Sequence, residues 1–301
     1  MSQGKRQSHV LEMGDGLFAL QNLHFLDGRL GLYPKLARGS APVNCYLIRV
    51  PGESLLIETG YTVDEDTIAE QIREIHVAGS LMSIFPMRVQ EPPSMCNATS
   101  LATRFQPSRF YGVSQGRIDH WANFHVSADP SLPGVLSHER EVPITPTTRL
   151  AGMPSFRVGL DRQIDIVNAP IRLIVTRWLF DQVTGTLFTS DMFSHIWSDT
   201  PHPRWVASEL SRDDSAEQLH RFLLGGRYWW LPGSRARIVR DAVKGVFTKY
   251  DVQNIAPTAG AILRGRDIVK RQVESLCDIL DKMDGRHTSP SYIPRSIVNS
   301  I

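Results

Sequence analysis

The sequence has only three cysteines, Cys45, Cys96 and Cys277, far apart and with no CxxC pair. So few, so spaced, build neither a disulfide framework nor a zinc ribbon. Long apolar runs are also missing: nothing approaches the roughly 20 consecutive apolar residues that span a bilayer. The opening MSQGKRQSHVLEMGDG carries basic residues with no apolar stretch behind them, unlike a secretory signal. The chain is therefore expected to be cytoplasmic, reduced and not membrane-bound. An excess of one charge is absent too, since 33 basic residues stand against 31 acidic ones for a net charge of +2. No basic stripe is available to neutralise phosphates, so nucleic acid is not an expected partner. There is no Gly-x-Ser-x-Gly elbow, no GxGxxG after a strand and no GxxxxGK(S/T) loop, which removes the enzyme classes built on them.

What is present suits a folded α/β chain. Apolar residues make up 42% and charged residues 21% of its 301 residues, an ordinary balance for a globule with a real core. LFALQN (17–22), NCYLIRV (44–50) and SLLIE (54–58) read as strands, the last two joined by a Pro51-Gly52 turn. Thr62 and Glu65 have capping-box spacing ahead of a helix carrying Ile68, Ile72 and Ile75. An apolar run at 81–85, a helix over 97–105 and a strand near Phe110-Tyr111 follow. Residues 126–160 have no clear pattern. Strands resume at 163–168, 171–176 and 186–191, with a turn from Asp181 to Gly185. Val239, Val243, Val246 and Tyr250 line one late helix; Val269, Val273, Leu276, Leu280 and Met283 line another. NIAP (254–257) is a short buried strand between them. Strands and helix repeat in two halves and close on helices, which predicts two mixed sheets packed together with helices outside, an αββα sandwich. The expected organisation is an N-terminal arm over 1–14, one domain over 15–284 and a tail over 285–301.

Three segments carry a family resemblance. VNCYLIRVPGESLLIETG (43–60) resembles the opening hairpin of metallo-β-lactamase-fold proteins, with Glu58 where an Asp-Thr-Gly turn is usual. TLFTSDMFSH (186–195), after Trp178 and Asp181, is similar to a strand end in the flavodiiron and oxygen-binding diiron branch. IAPTAGAILRG (255–265) resembles that branch's closing Pro-x-His-Gly segment. The resemblance implies a centre in which two cations share a bridging carboxylate and histidines complete each shell, a donor set suited to iron, zinc or manganese. Carried over residue by residue, the first ligand loop falls on Val89, Glu91, Pro93 and Ser94. The following helix then matches at Asn97, Leu101 and Arg104-Phe105. The middle histidine falls on Leu173 after Ala169-Pro170, the bridging aspartate on Asp191 and the last histidine on Ala259 before Gly260. Four expected histidines are thus Val, Ser, Leu and Ala. Sliding the first loop restores none, because no histidine lies between His76 and His120.

The expected site is therefore Asp191 and Glu91, with Val89, Ser94, Cys96, Asn97, Arg172, Leu173, His195, Ala259 and Gly260 lining a pocket. No metal is expected, with Glu91 and Asp191 as the ligands if there is one. No cofactor is expected either, save for a single zinc or iron, which Cys96 and His195 could help to hold. Arg88, Arg172 and Arg177 would favour an anionic ligand if they reach the pocket, and are simply exposed if they do not. His120 and His125 sit five apart, which puts them on different faces of a helix. Tyr228-Trp229-Trp230 reads as helix packing. Two functions remain open. One is a metal-independent protein that binds a small molecule or serves as a partner subunit, with a homodimer or a related subunit as the expected assembly. The other is an enzyme with a reworked site, a single-metal hydrolase or an oxidoreductase, using Asp191 and Glu91. Reduction of oxygen or nitric oxide is weaker, since it usually draws electrons from an attached flavodoxin-like domain that this chain leaves no room for.

Overall fold

The computed structural model describes residues 7–88, 91–112, 147–149, 152–172, 174–209 and 216–285. The first sheet contains, in chain order and in lateral order alike, β1 (Ser8–Gly14), β2 (Leu17–Phe25), β3 (Ser40–Val50), β4 (Glu53–Ile57), β5 (Leu81–Phe85), β6 (Arg109–Gly112) and β7 (Thr147–Arg149). Pairing is antiparallel from β1 to β4 and parallel from β4 to β7. The second sheet runs β12-β14-β13-β11-β10-β9-β8. Its strands are β8 (Ser155–Val158), β9 (Arg162–Asn168), β10 (Arg177–Asp181), β11 (Thr186–Ser190), β12 (Val206–Ala207), β13 (Asn254–Pro257) and β14 (Ile262–Arg264). The helices are α1 (Glu65–Ile75), α2 (Pro92–Met95), α3 (Ala98–Phe105), α4 (Ala216–Gly225), α5 (Ala236–Lys249) and α6 (Arg266–Met283). Two mixed sheets flanked by helices make the expected αββα sandwich.

Strand periodicity explains the layering. In β10, Leu179 turns into the core shared by the two sheets, while Trp178 and Phe180 join the core beneath α4, α5 and α6. In β11 and β13 the same alternation sends Phe188 and Ala256 inward, and Leu187 and Ile255 towards the helices. Such strands are buried on both faces, so they read as unbroken apolar runs. On the other side, α1 contributes Ile68, Ala69, Ile72 and Ile75, and α3 contributes Ala98, Leu101 and Ala102. Each fully buried Ile or Leu is worth roughly 1.5–3 kcal/mol.

Polar groups join the two halves. Asn44 on β3 donates from Nδ2 to the carbonyls of Pro257 (2.8 Å) and Gly260 (3.0 Å), and the Tyr46 hydroxyl donates to Pro257 O at 2.6 Å. Gly260 donates its N–H to Pro42 O at 2.8 Å. It has φ +79°, and a Cβ there would lie 2.7 Å from Ser194 O. Only glycine fits that approach.

Several local expectations are corrected. Residues 8–14 were expected in an arm but form the edge strand β1, since alternation across SHVLEMG pairs with β2. Ile171, Arg172, Ile174, Val175 and Thr176 are not in a strand. Asn168 pairs with Arg177 across an antiparallel hairpin, and these residues belong to its connection. Val175 is correspondingly exposed. The capping box does not form: Thr62–Asp64 is a 3₁₀ turn, and Glu65 accepts instead from Ser100 Oγ and from Arg104 Nη2. The tail after Gly285, most of the 126–160 stretch, His120 and His125 lie outside the described residues.

Candidate functional site

The carboxyl ends of the central strands of both sheets face a common region. Where β4 ends, Glu58 adopts φ +66°, an unusual conformation for a residue with a side chain. Its carboxylate accepts from Met87 N (2.6 Å) and from Ser94 Oγ (2.5 Å). Glu58 is thereby the tether that folds the segment after β5 back over the strand ends. Burial raises its pKa, and the nearby Arg88 and the two donors only partly offset that. Asn97 completes the tether, donating from Nδ2 to Thr59 O (2.8 Å) and Tyr61 O (2.9 Å).

Asp191 follows β11 in a tight turn in which Ser190 has φ +56° and Phe193 φ +65°. Thr189 Oγ1 donates to Met192 O at 2.7 Å, and Thr258 N donates to Ser190 O at 2.6 Å, fixing the turn against the end of β13. Glu91 reaches the same place from the segment that Glu58 tethers.

Two guanidinium groups join these acids. Arg88, 2% exposed, places Nη1 3.2 Å from Asp191 Oδ2 and 4.0 Å from Glu91 Oε1. Arg227, between α4 and α5, grips Glu91 with both terminal nitrogens, at 2.5 and 2.8 Å, and lies 4.0 Å from Asp191 Oδ2. Tyr228 donates its hydroxyl to Asp191 Oδ2 at 3.1 Å. Each carboxylate thus lies between two cations, and the four charges sum to zero. Burial and Asp191 push the Tyr228 pKa well above its ordinary value. Burial draws the Arg227 pKa down, but Glu91 and Asp191 more than compensate, leaving it raised. Arg88 Nε is buried with no hydrogen-bond partner.

Of the residues expected at the site, Glu91 and Asp191 are brought together. Ser94 and Asn97 stand beside them as supports of the segment. Cys96, half-buried, lies within electrostatic range of Tyr61, as do Glu91, Arg88 and Arg227. Ala259 is buried and bridges to Val43, and Gly260 closes the seam to Pro42. His195 is buried under α6, where its Nε2 pairs with Gln272 Oε1 at 2.9 Å and its ring faces Phe193 and Phe222. Arg172 is exposed on the β9–β10 loop and donates to Ala169 O at 2.7 Å. Arg177 is half-buried, and burial and Arg172 lower its pKa. Val89 and Leu173 lie outside the described residues. Two open surface cavities, of about 500 and 530 Å³, are lined by other residues, around Tyr111 and around Thr184.

Arg227 was missed, and Tyr228 was read chiefly as helix packing, because nothing in GGRYWWLPG ties that segment to Glu91, 136 residues away. Arg88 was noticed for its charge alone.

Among the described residues, the donors gathered around Glu91 and Asp191 are not the histidine-completed set of a dimetal centre. Carboxylate oxygens that would bridge cations are already engaged by guanidinium nitrogens. Among the described residues, no group of three or more His, Cys, Asp or Glu is gathered that could hold a metal ion. No helix among them is long and apolar enough to cross a membrane.

No family model and no curated protein matches the chain. Solved structures do. A fragment of a diflavin flavoprotein from Nostoc sp. PCC 7120 is similar over 93% of this chain and 98% of that one, with TM-score 0.69 and 13% identity. A flavo di-iron protein variant from Thermotoga maritima is similar over 92% of this chain and 63% of that one, with TM-score 0.63 and 11% identity. Rubredoxin oxygen:oxidoreductase from Desulfovibrio gigas is similar over 91% and 62%, with TM-score 0.63 and 13% identity. The chain therefore spans less than two thirds of the length of the last two. At such identities the likeness shows the fold alone, a metallo-β-lactamase-like sandwich.

These neighbours overturn one expectation. Apart from a single zinc or iron, no cofactor was expected, on the strength of missing histidines. The similar structures are named for flavins and for a pair of irons. Counting histidines tests one ligand set at one place and gives no information about a flavin, which does not depend on such ligands. A shortage of histidine is thus no ground for expecting a cofactor-free protein.

Proposed function

We propose that this metallo-β-lactamase-fold chain lacks the histidine ligands of a dimetal centre and uses that centre as a small-molecule-binding site. The single observation behind this reading is the position of Glu91 and Asp191, each between the guanidiniums of Arg88 and Arg227. In a dimetal site two cations are bridged by carboxylate. Here the positive charge belongs to two arginines. The alternative, an enzyme using Asp191 and Glu91 as an acid–base pair, is weakened by the same contacts. A general base needs a free lone pair aimed at its substrate, and both Glu91 oxygens and Asp191 Oδ2 already accept from Arg227 and Tyr228.

The test is metal analysis of the purified protein beside its Asp191→Ala variant. Neither is expected to hold a stoichiometric transition metal at this centre. One or two equivalents per chain in the parent, lost in the variant, would overturn the proposal.

A further inference from the structure

Glu91 occupies Arg227 as a bound carboxylate would. Its two oxygens take both terminal nitrogens, at 2.5 and 2.8 Å, the paired geometry by which a guanidinium selects a carboxylate. We infer that the centre binds a small monocarboxylate, which takes the place of the Glu91 side chain on Arg227. This rests on the binding-site reading above.

The backbone that carries Arg227 is held independently of Glu91. Tyr228, next in sequence, is buried; it donates its N–H to Leu223 O at 3.1 Å and its hydroxyl to Asp191. On the other side, a Cβ on Gly226 would lie 2.8 Å from Phe222 O, so the backbone is packed there too. Glu91 is less committed. Its side chain is 14% exposed, and although it stands at the N-cap of α2 it makes no side-chain cap bond. Its main chain stays anchored through Ser94 N to Glu91 O at 3.1 Å. The carboxylate can therefore swing out without dragging the segment with it.

Charge and donor count define the ligand class. Withdrawing Glu91 removes one negative charge from beside Arg227, which a monoanion restores. A dianion would leave negative charge beside a guanidinium that is 2% exposed, which is unfavourable in a poorly solvated place. Arg88 also keeps a buried Nε–H without an acceptor, on the guanidinium whose Nη1 lies 4.0 Å from the present position of Glu91 Oε1. A ligand carrying a second, neutral oxygen next to its carboxylate would satisfy it.

Calorimetric titration with acetate, and with inorganic phosphate in parallel, tests this. Glu91→Gln removes the internal competitor and should bind acetate at least about tenfold more tightly than the parent. Adding Arg227→Ala should abolish that gain, and phosphate should bind more weakly than acetate. Equal acetate affinity in the parent and Glu91→Gln would overturn the inference; tighter phosphate binding would overturn the ligand class. Should Glu91→Gln fail to fold, Arg227→Lys keeps the charge but loses the fork. It must then lose the parent's acetate binding, and retention would refute the idea. A metal-free protein that ignores acetate sinks this inference alone, whereas a stoichiometric metal sinks the binding-site reading itself.

Discussion

Replacing Arg88 with methionine separates a structural ion network from a set of incidental surface pairs. Methionine keeps most of the side-chain length and deletes only the charged fork. In the parent, Nη1 lies 3.2 Å from Asp191 Oδ2. At an effective dielectric constant of about 20, a pair at that distance attracts by roughly 5 kcal/mol before desolvation is counted. The net worth is smaller, since Arg88 is itself buried and also repels Arg227. Asp191 would keep only the Tyr228 hydroxyl at 3.1 Å and Arg227 at 4.0 Å. Removing one partner of a buried pair typically costs about 3–5 kcal/mol. The remaining partners place this case near the lower end, about 3 kcal/mol. Urea unfolding followed by circular dichroism would measure it. Arg88→Met combined with Asp191→Leu should then cost clearly less than the two single changes added together, because the orphaned charge disappears with its partner. A loss below about 1 kcal/mol for Arg88→Met, the range of a surface pair, would refute the reasoning, as would strict additivity in the double variant.

Three further outcomes follow from the geometry. Burial raises the Glu58 pKa above 4.5, so the folded state holds this proton more tightly than the unfolded chain. Stability from this group is greatest below pH 4.5 and declines as pH rises from there through the folded pKa. Glu58→Gln should therefore gain on the parent between pH 4 and pH 8 in urea midpoint; a difference independent of pH would contradict the assignment. Gly260→Ala, which forces a Cβ to 2.7 Å from Ser194 O, should cost about 1–3 kcal/mol, and an unchanged melting temperature would show that the seam yields freely. Asn44→Ala strips the Gly260 carbonyl of a buried donor, while Pro257 O keeps the Tyr46 hydroxyl, and should cost about 1–3 kcal/mol, read as a drop in melting temperature.

Much of the fold was legible because burial on both sheet faces and the 3.6-residue period of the helices leave strong marks. The runs that became β3, β4, β11 and β13, and the stripes that became α5 and α6, are all visible as apolar patterns. What stayed hidden was structure decided by pairing at a distance. IRLIVT has every local property of a strand, yet its described residues belong to the connection between Asn168 and Arg177, which pair across a hairpin. Asp191 and Glu91 were found because the resemblance supplied a template for carboxylates. Arg227 was not, and Tyr228 was read chiefly as helix packing, because that template asks for metal ligands and neither side chain is one.

Charge chemistry explains why arginine suits this place better than lysine or a neutral residue. Glu91 comes from a segment tethered to the first sheet, Asp191 from a turn at the end of the second. Two carboxylates held so close repel unless a cation lies between them, and leaving either unpaired in a poorly solvated place is costly. A neutral substitute at Arg88 would remove the balance. Lysine would supply the charge as a strongly hydrated point with no fixed fork, so it could not grip both Glu91 oxygens while lying close to Asp191. The guanidinium is planar, permanently charged and weakly hydrated, and can face two carboxylates at once. The two arginines therefore join the loops of the two sheets by the means through which a bridged pair of metal ions would join them, opposite charge shared across both halves of the sandwich.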